Sequence, residues 1–378
     1  TLSAGTITLS ANTSYYFRAG TLNWNGSPSY AAALATSTYV EAPTGVYFEE
    51  ISSHSMVVSA YYSGQGFSNL QYGHSGVAVS SEAVFSQWGN ASSTWSTKSN
   101  MIGIPRQGLV AAAIDGKVYV AGGRDLAANA FNQHEIYDTM SDSWTDATDM
   151  PTSRNAPVGV AVGGHFFVIG GLAANGVTRL GANERYDPLQ DAWVKVASMP
   201  TARNLAAAAV VDNKIYVIGG SGGSQRENQR YDPITDTWAT MTQMPTARTN
   251  LTAVALNRKI YAIGGFTGVP RDEVEEYDPD TDSWTSKADM PTARRLSAAV
   301  ALAGKIYVIG GNDGSTIGTV EIFDPVANLW QAGPDMITAR ESLAAAVVAG
   351  RFYAIGGKAV DAEDIVESYD PGVSRVVS

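Results

Sequence analysis

The sequence predicts an all-β protein whose main body is a six-bladed β-propeller, and three repeating markers predict it. Double glycines stand at Gly122-Gly123, Gly170-Gly171, Gly219-Gly220, Gly264-Gly265, Gly310-Gly311 and Gly356-Gly357, 45 to 49 residues apart. Six tryptophans, Trp95, Trp144, Trp193, Trp238, Trp284 and Trp330, each precede a methionine by six positions, the last being Met336. An arginine follows each methionine by four or five positions: Arg106, Arg154, Arg203, Arg248, Arg294 and Arg340. Three markers recurring in one order at that period are the signature of propeller blades.

Residues 203–244 show how one unit builds four strands. Leu205 to Val211 is small and apolar, as a strand buried on both faces requires. Asp212-Asn213 is a two-residue turn, Lys214 to Ile218 is the second strand, and the double glycine ends it. A polar loop leads to a third strand ending at Tyr231, Asp232-Pro233 opens a tight turn, and Trp238 begins the fourth strand.

Closure follows from counting. The last unit has Arg340, Gly356-Gly357 and Tyr369-Asp370-Pro371, but Val376 stands where its tryptophan belongs. Trp95 to Met101 is a fourth-strand motif with no first three strands of its own type. Residues 92–99 are therefore expected to form the outer strand of the last blade and close the ring, leaving no free sheet edge at the join. A competing reading has Val376 and Val377 supply that strand.

The order apolar strand, aromatic, Gly-Gly, Tyr-Asp-Pro, Trp resembles the kelch repeat over roughly residues 91–372. The expected organisation is a small β-sandwich-like region over residues 1–90 and a kelch-like propeller over 91–378. In the front region, SANTSYYFRAGTLNWNG and APTGVYFEEISSHSMVVSAYY resemble strands of fibronectin type III domains, in inverted order for a single domain. That resemblance implies a spacer in an extracellular or cell-surface protein. The Ser, Thr, Gly, Ala, Asn and Tyr content of the first hundred residues agrees, and the start on TLSAGTITLS suggests a mature protein or a fragment of a longer one.

Composition narrows the chemistry. The chain of 378 residues carries 36 acidic and 25 basic side chains, a net charge of -11, the opposite balance to a nucleic-acid-binding module. No apolar run reaches the 18 residues of a membrane-spanning helix. Cysteine is absent, which removes disulfides, thiol nucleophiles and the Cys-Tyr cofactor of copper oxidases similar to galactose oxidase. Of four histidines only His134 and His165 fall in the ring, at unrelated blade positions, and all four are expected at surfaces or turns. Asp278, Asp280 and Asp282 imitate the start of a calcium loop but lack its glycine and final glutamate. No cofactor is expected.

Strand direction puts the six Met-to-Arg connections and the six loops after Gly-Gly on one face of the ring, and binding is expected there. Behind the loops, the residue after each arginine varies: Gln107, Asn155, Asn204, Thr249, Arg295 and Glu341. The six arginines have two readings: a ring gripping acidic peptide or sugar groups, as the kelch resemblance implies, or struts bonded to strand-end carbonyls of the next blade. Arg295 and Glu341 depart from the pattern and are the leading recognition candidates, with Asn155 and Asn204 beside them. The expected function is a non-catalytic binding or structural module whose partner is an extracellular protein, a glycan or sister subunits. The alternative is a sugar-acid enzyme similar to sialic acid mutarotases, with Arg295, Arg340 and Glu341 at work.

Overall fold

The computed structural model describes residues 94–371, together with the backbone of four two-residue strands nearer the start. The chain divides into two compact units, residues 1–92 with 371–378, and Ser93–Asp370. In the first unit Arg18–Ala19 pairs antiparallel with Met56–Val57, and Thr21–Leu22 with Pro28–Ser29. The rest of the expected fibronectin-like segments, and the alternative strand at Val376 and Val377, lie outside the described residues.

The second unit is six four-stranded antiparallel sheets, an all-β six-bladed propeller. Blade 1 runs through Val110–Ile114, Lys117–Ala121, His134–Asp138 and Ser143–Asp146. Blades 2 to 5 repeat that order from Val158, Ala207, Thr252 and Ala298. In blade 6, Ala344–Val348, Arg351–Ile355 and Val366–Asp370 are completed by Thr94–Lys98, with Tyr369 opposite Trp95 and Val366 opposite Lys98. The outer strand of the last blade thus comes from the start of the ring.

Residues paired across a blade explain its sequence. Each first hairpin turns through two residues with positive φ, such as Asp212 at 49° and Asn213 at 57°, the twist that matches paired strands. The second strands are buried on both faces, Val118, Val217 and Val308 being fully inaccessible, so they read as unbroken apolar runs. One expectation needs correcting: in blades 4 and 5 the double glycine does not end the strand. Lys259–Phe266 and Lys305–Asn312 run through it, with a register shift at Ile263/Gly265 and at Ile309/Gly311. The short loops there let the hairpin continue beyond the bulge.

The core lies between blades, one cluster per junction. Val110, Ala112 and Tyr119 of blade 1 pack on Phe166, Val168 and Tyr186 of blade 2. Each tryptophan indole N–H reaches the preceding blade, from Trp193 to the Thr148 carbonyl at 2.7 Å and from Trp238 to that of Ala197 at 2.8 Å. The turn aspartates complete the stitch: Asp191 accepts from the Tyr186 hydroxyl at 2.6 Å and from the Thr148 N–H at 2.9 Å. Blade 5 has Phe323 and Asn328 in those places, so hydroxyl and charge are lost together while Asn328 still accepts from the Ala288 N–H at 2.9 Å. The join between blades 6 and 1 is sewn the same way, with Trp144 donating to the Ser99 carbonyl and Asp142 accepting from the Ser99 N–H.

His134 corrects the expectation that the histidines sit at surfaces or turns. It is 1% exposed between blades 1 and 2, edge-on to Tyr186 at 4.3 Å and Trp193 at 5.2 Å, with Nδ1 3.2 Å from the Thr148 carbonyl. Burial pushes its pKa down to about 4, the Thr148 carbonyl opposing only in part. The folded protein holds the ring neutral, whereas the unfolded chain protonates it near 6.5. Stability from this site is therefore complete above about pH 6.5 and falls by up to about 3 kcal/mol as the pH drops towards 4. Val274, Val320 and Val366 occupy the same register in blades 4 to 6, so His134→Val is the natural control. Urea unfolding of the two proteins across that pH window should show a shallower slope for the variant. Parallel slopes would remove His134 as the cause.

Candidate binding face at the channel mouth

The mouth is assembled from the repeat itself. The second glycine of each pair donates its N–H to the carbonyl of the next blade's arginine: Gly123 to Arg154, Gly171 to Arg203, and so round to Gly357 with Arg106, at 2.9–3.0 Å. A side chain on the first glycine would strike that same carbonyl, 2.6 Å from a Cβ on Gly170 and 2.5 Å from one on Gly310, where φ is also near +60°. Glycine is required there by close backbone approach as well as by conformation.

The six arginine side chains do not face the mouth. Arg106, Arg154, Arg203, Arg248, Arg294 and Arg340 are 0–1% exposed, so none is open to a ligand, and the gripping ring expected as one reading is withdrawn. The strut reading also changes in detail, because the carbonyls belong to the arginine's own blade. Arg248 Nη1 donates to Gly264 and Glu273, and Arg340 Nη1 to Gly356 and Ile365, at 2.8–2.9 Å. These carbonyls lie where the double glycine interrupts the ladder between second and third strands, and that of Ile365 also accepts the Gly356 N–H at 2.9 Å.

Five of the six arginines also have a buried counter-charge, which the sequence reading missed. Glu135, Glu184, Glu275, Glu321 and Glu367 stand 3.3, 2.6, 2.6, 2.7 and 3.3 Å from Arg106, Arg154, Arg248, Arg294 and Arg340. The signal was present: every one of these glutamates lies two residues before the third-strand aromatic. Blade 3 differs. Gln229 takes the place, Arg203 donates only to the Val217 carbonyl at 2.8 Å, and its Nε and Nη1 have no partner among the described residues. Burial pushes the Arg203 pKa down to about 10, with the Glu227 charge opposing. Gln229→Glu should therefore raise unfolding stability by about 1–2 kcal/mol, as charge-assisted hydrogen bonds do. A urea midpoint that stays put or falls would show that Arg203 is already compensated.

Two residues beyond each arginine the chain turns left-handed in all six blades: Gly108, Ala156, Leu205, Asn250, Leu296 and Ser342 have φ of 48–64°. Each donates its N–H to the carbonyl of its counterpart in the preceding blade, at 2.8–3.1 Å, and Gly108 donating to Ser342 closes the circle. This collar of six backbone hydrogen bonds surrounds the channel axis. No sequence signal marks it, because the six positions hold five different residue types.

On the collar opens a cavity of about 410 Å3, lined by Gln107, Asn155, Asn204 and Glu341 among others. The residues after each arginine bridge to those after each double glycine, Gln107 to Arg124, Asn155 to Leu172, Asn204 to Ser221, Thr249 to Phe266, Arg295 to Asn312 and Glu341 to Lys358. Connection and loop therefore share one face. Arg295 lies over the Phe266 ring, 4.5 Å from its centre. Glu341 accepts from Asn312 and from the Thr316 hydroxyl, and Lys358 stands 3.9 Å away. Glu341, Asn155 and Asn204 thus line the cavity, Arg295 stands on the same face but outside that lining, and the six repeat arginines are held behind it. No group of three or more metal-ligating side chains occurs among the described residues.

A ring of six such blades, with buried arginine struts and a varied rim, defines a propeller of binding-scaffold type. Comparison with known proteins gives its repeats a name. The Kelch motif matches residues 105–151 and 153–200, and the KLHDC2/KLHL20/DRC7 Kelch-repeats domain matches residues 198–357. The ring is a six-bladed propeller of kelch repeats. Two F-box/kelch-repeat proteins of Arabidopsis thaliana are 39% identical over 79 residues, covering 21% of this chain and 19% of that protein, and 38% identical over 81 residues, covering 21% and 22%. A third from the same plant is 47% identical over 47 residues, or 12% of each chain. The chain thus spans about a fifth or less of the length of these curated relatives. The solved structure of YjhT superposes with a TM-score of 0.61 at 17% identity, covering 69% of this chain and 94% of that one, a likeness of fold.

Proposed function

We propose that the propeller is a non-catalytic protein-binding module that engages its partner with the loop-rich face around the channel mouth. One observation carries the reading: side chains behind the mouth are fixed by the repeat and buried, while those on its rim differ from blade to blade, Gln107, Asn155, Asn204 and Glu341 among them lining the cavity. A constant frame with a variable rim is how a scaffold supports recognition. An extracellular or cell-surface setting is part of the proposal, supported by the composition of residues 1–90, and a glycan or sister subunits remain partners to test alongside proteins. The sugar-acid alternative is less favoured, because Arg340 is committed to Glu367 and Glu341 is already held by three neighbours. The test is a peptide and glycan binding screen on the whole chain, repeated with Arg295→Ala and Glu341→Ala. Binding indifferent to both substitutions would sink the loop-face reading, and NMR-detected acceleration of sialic acid anomer exchange would replace it with the enzyme.

A further inference from the structure

A second cavity opens between the loops that follow the double glycines of blades 3 and 4. Its volume is about 620 Å3, within the range of small-molecule sites, and Ser221, Gln225, Thr249, Asn250, Phe266 and Thr267 line it. Among the described residues its lining contains no charged side chain. Two guanidiniums outside that lining are engaged within the protein, Arg179 donating to the Ser221 hydroxyl at 3.0 Å and Arg295 lying over the Phe266 ring.

Phe266 is the aromatic among the six residues that follow a double glycine, the others being Arg124, Leu172, Ser221, Asn312 and Lys358. Chain order sets it between the blade 3 loop, which gives Ser221 and Gln225 to the cavity, and Arg295 of the connection into blade 5. The cation therefore backs the ring from the side away from blade 3, and the half-buried ring lends the cavity its apolar surface. A pyranose ring matches this lining in both of its parts. The negative face of an aromatic ring attracts the C–H bonds on one side of the sugar, and hydroxyls and amides pair with its hydroxyl edge.

Gln225 supplies an independent observation. Its φ is 64°, whereas Phe131, Leu180, Arg271 and Glu363, whose carbonyls accept the next arginine's N–H as that of Gln225 does, stay out of the left-handed region. The frame does not need that conformation, and a side chain held in it marks a constraint of another kind. The amide of Gln225 makes no hydrogen bond among the described residues and stays open to solvent. Asn250 donates through Nδ2 to the Thr249 hydroxyl at 2.9 Å, which leaves its own amide oxygen for a ligand.

We propose that this side cavity binds a neutral hexopyranose, its C–H face on Phe266 and its hydroxyls hydrogen-bonded to Gln225, Asn250 and Thr267. The site is additional to the protein-binding reading, and either can fail without the other.

Saturation-transfer NMR on the whole chain tests it with the methyl glycosides of glucose, galactose, mannose and N-acetylglucosamine, and with glucuronic acid as the charged control. At least one neutral glycoside is expected to bind at about 1 mM or tighter, with transfer strongest to the C–H protons of one face. Its affinity should fall about tenfold in Phe266→Leu, which keeps apolar volume and removes the platform. Gln225→Gly should lose about fivefold, in a backbone conformation that glycine adopts freely, so the fold is kept. A matching tetrasaccharide that binds more tightly than the monosaccharide assigns the end of a glycan chain, and equal affinity assigns a free sugar; both support the site. No neutral glycoside bound at about 20 mM, a preference for glucuronic acid that disappears in Arg295→Ala, or binding indifferent to Phe266→Leu and Gln225→Gly would overturn it. None of these outcomes touches protein binding, which the peptide arm of the screen reads separately.

Discussion

Replacing Glu184 with alanine is expected to lower the unfolding free energy by about 3–5 kcal/mol, the effect of leaving a buried charge without its partner. Arg154 and Glu184 are each fully buried with 2.6 Å between Nη2 and Oε2, and Glu184 also accepts from the Thr152 hydroxyl at 2.6 Å. The stranded guanidinium cannot shed its proton near neutral pH, so its desolvation has to be met by distorting the blade or admitting water. Removing both charges together, as Arg154→Met with Glu184→Leu, should recover much of the loss, because apolar side chains of similar volume pay no desolvation. Urea midpoints for the two singles and the double close a mutant cycle. A single-variant loss under about 1 kcal/mol would mean that the ion pair is decorative and the carbonyl bonds of the arginine hold the blade alone.

Removing the chain before Ser99 is expected to unseat the closure of the ring. Thr94–Lys98 is the outer strand of blade 6, and Trp95 packs 5.4 Å from both Phe352 and Tyr369 while donating to the Pro334 carbonyl at 2.8 Å. Without it the strand Val366–Asp370 becomes a bare edge, open to pairing with other chains. The shortened protein should lose about 4 kcal/mol or more, since burial of one tryptophan alone is worth that order, and should self-associate in light scattering. Trp95→Ala in the whole chain separates packing from pairing and should cost about 2–4 kcal/mol with the edge still covered. Unchanged stability and a monomeric shortened chain would show that blade 6 closes by other means.

The arginines illustrate how far sequence carried the site. Their regularity announced them, and the same regularity was compatible with two opposite roles, a charged mouth or buried struts. Only the exposure of the guanidinium separates these, and the buried glutamate that meets five of the six stands two residues before the aromatic of the third strand, some 27 to 30 residues later. That partner was legible as a periodic residue but carried no label saying where it pointed. His134 shows the same limit, since its neighbours Tyr186 and Trp193 belong to the following blade. Arg295 and Glu341 stood out as breaks in the repeat; the structure sets both beside the loops after the double glycines, with Glu341 lining the cavity and Arg295 outside its lining.

By itself the sequence determined the number of blades, the four-strand order within each and the glycine pairs, and it pointed to the displaced outer strand that the pairing of Thr94–Lys98 with Val366–Asp370 then decided. These are local periodic signals, and a repeat prints them six times. The tertiary structure alone decided that the arginines are buried, that a collar of backbone hydrogen bonds rings the axis, and that Gln107, Asn155, Asn204 and Glu341 line one cavity. The physical reason is the closed circle: each of those properties arises where one blade meets the next or where all six meet at the axis, and no single repeat contains such a meeting.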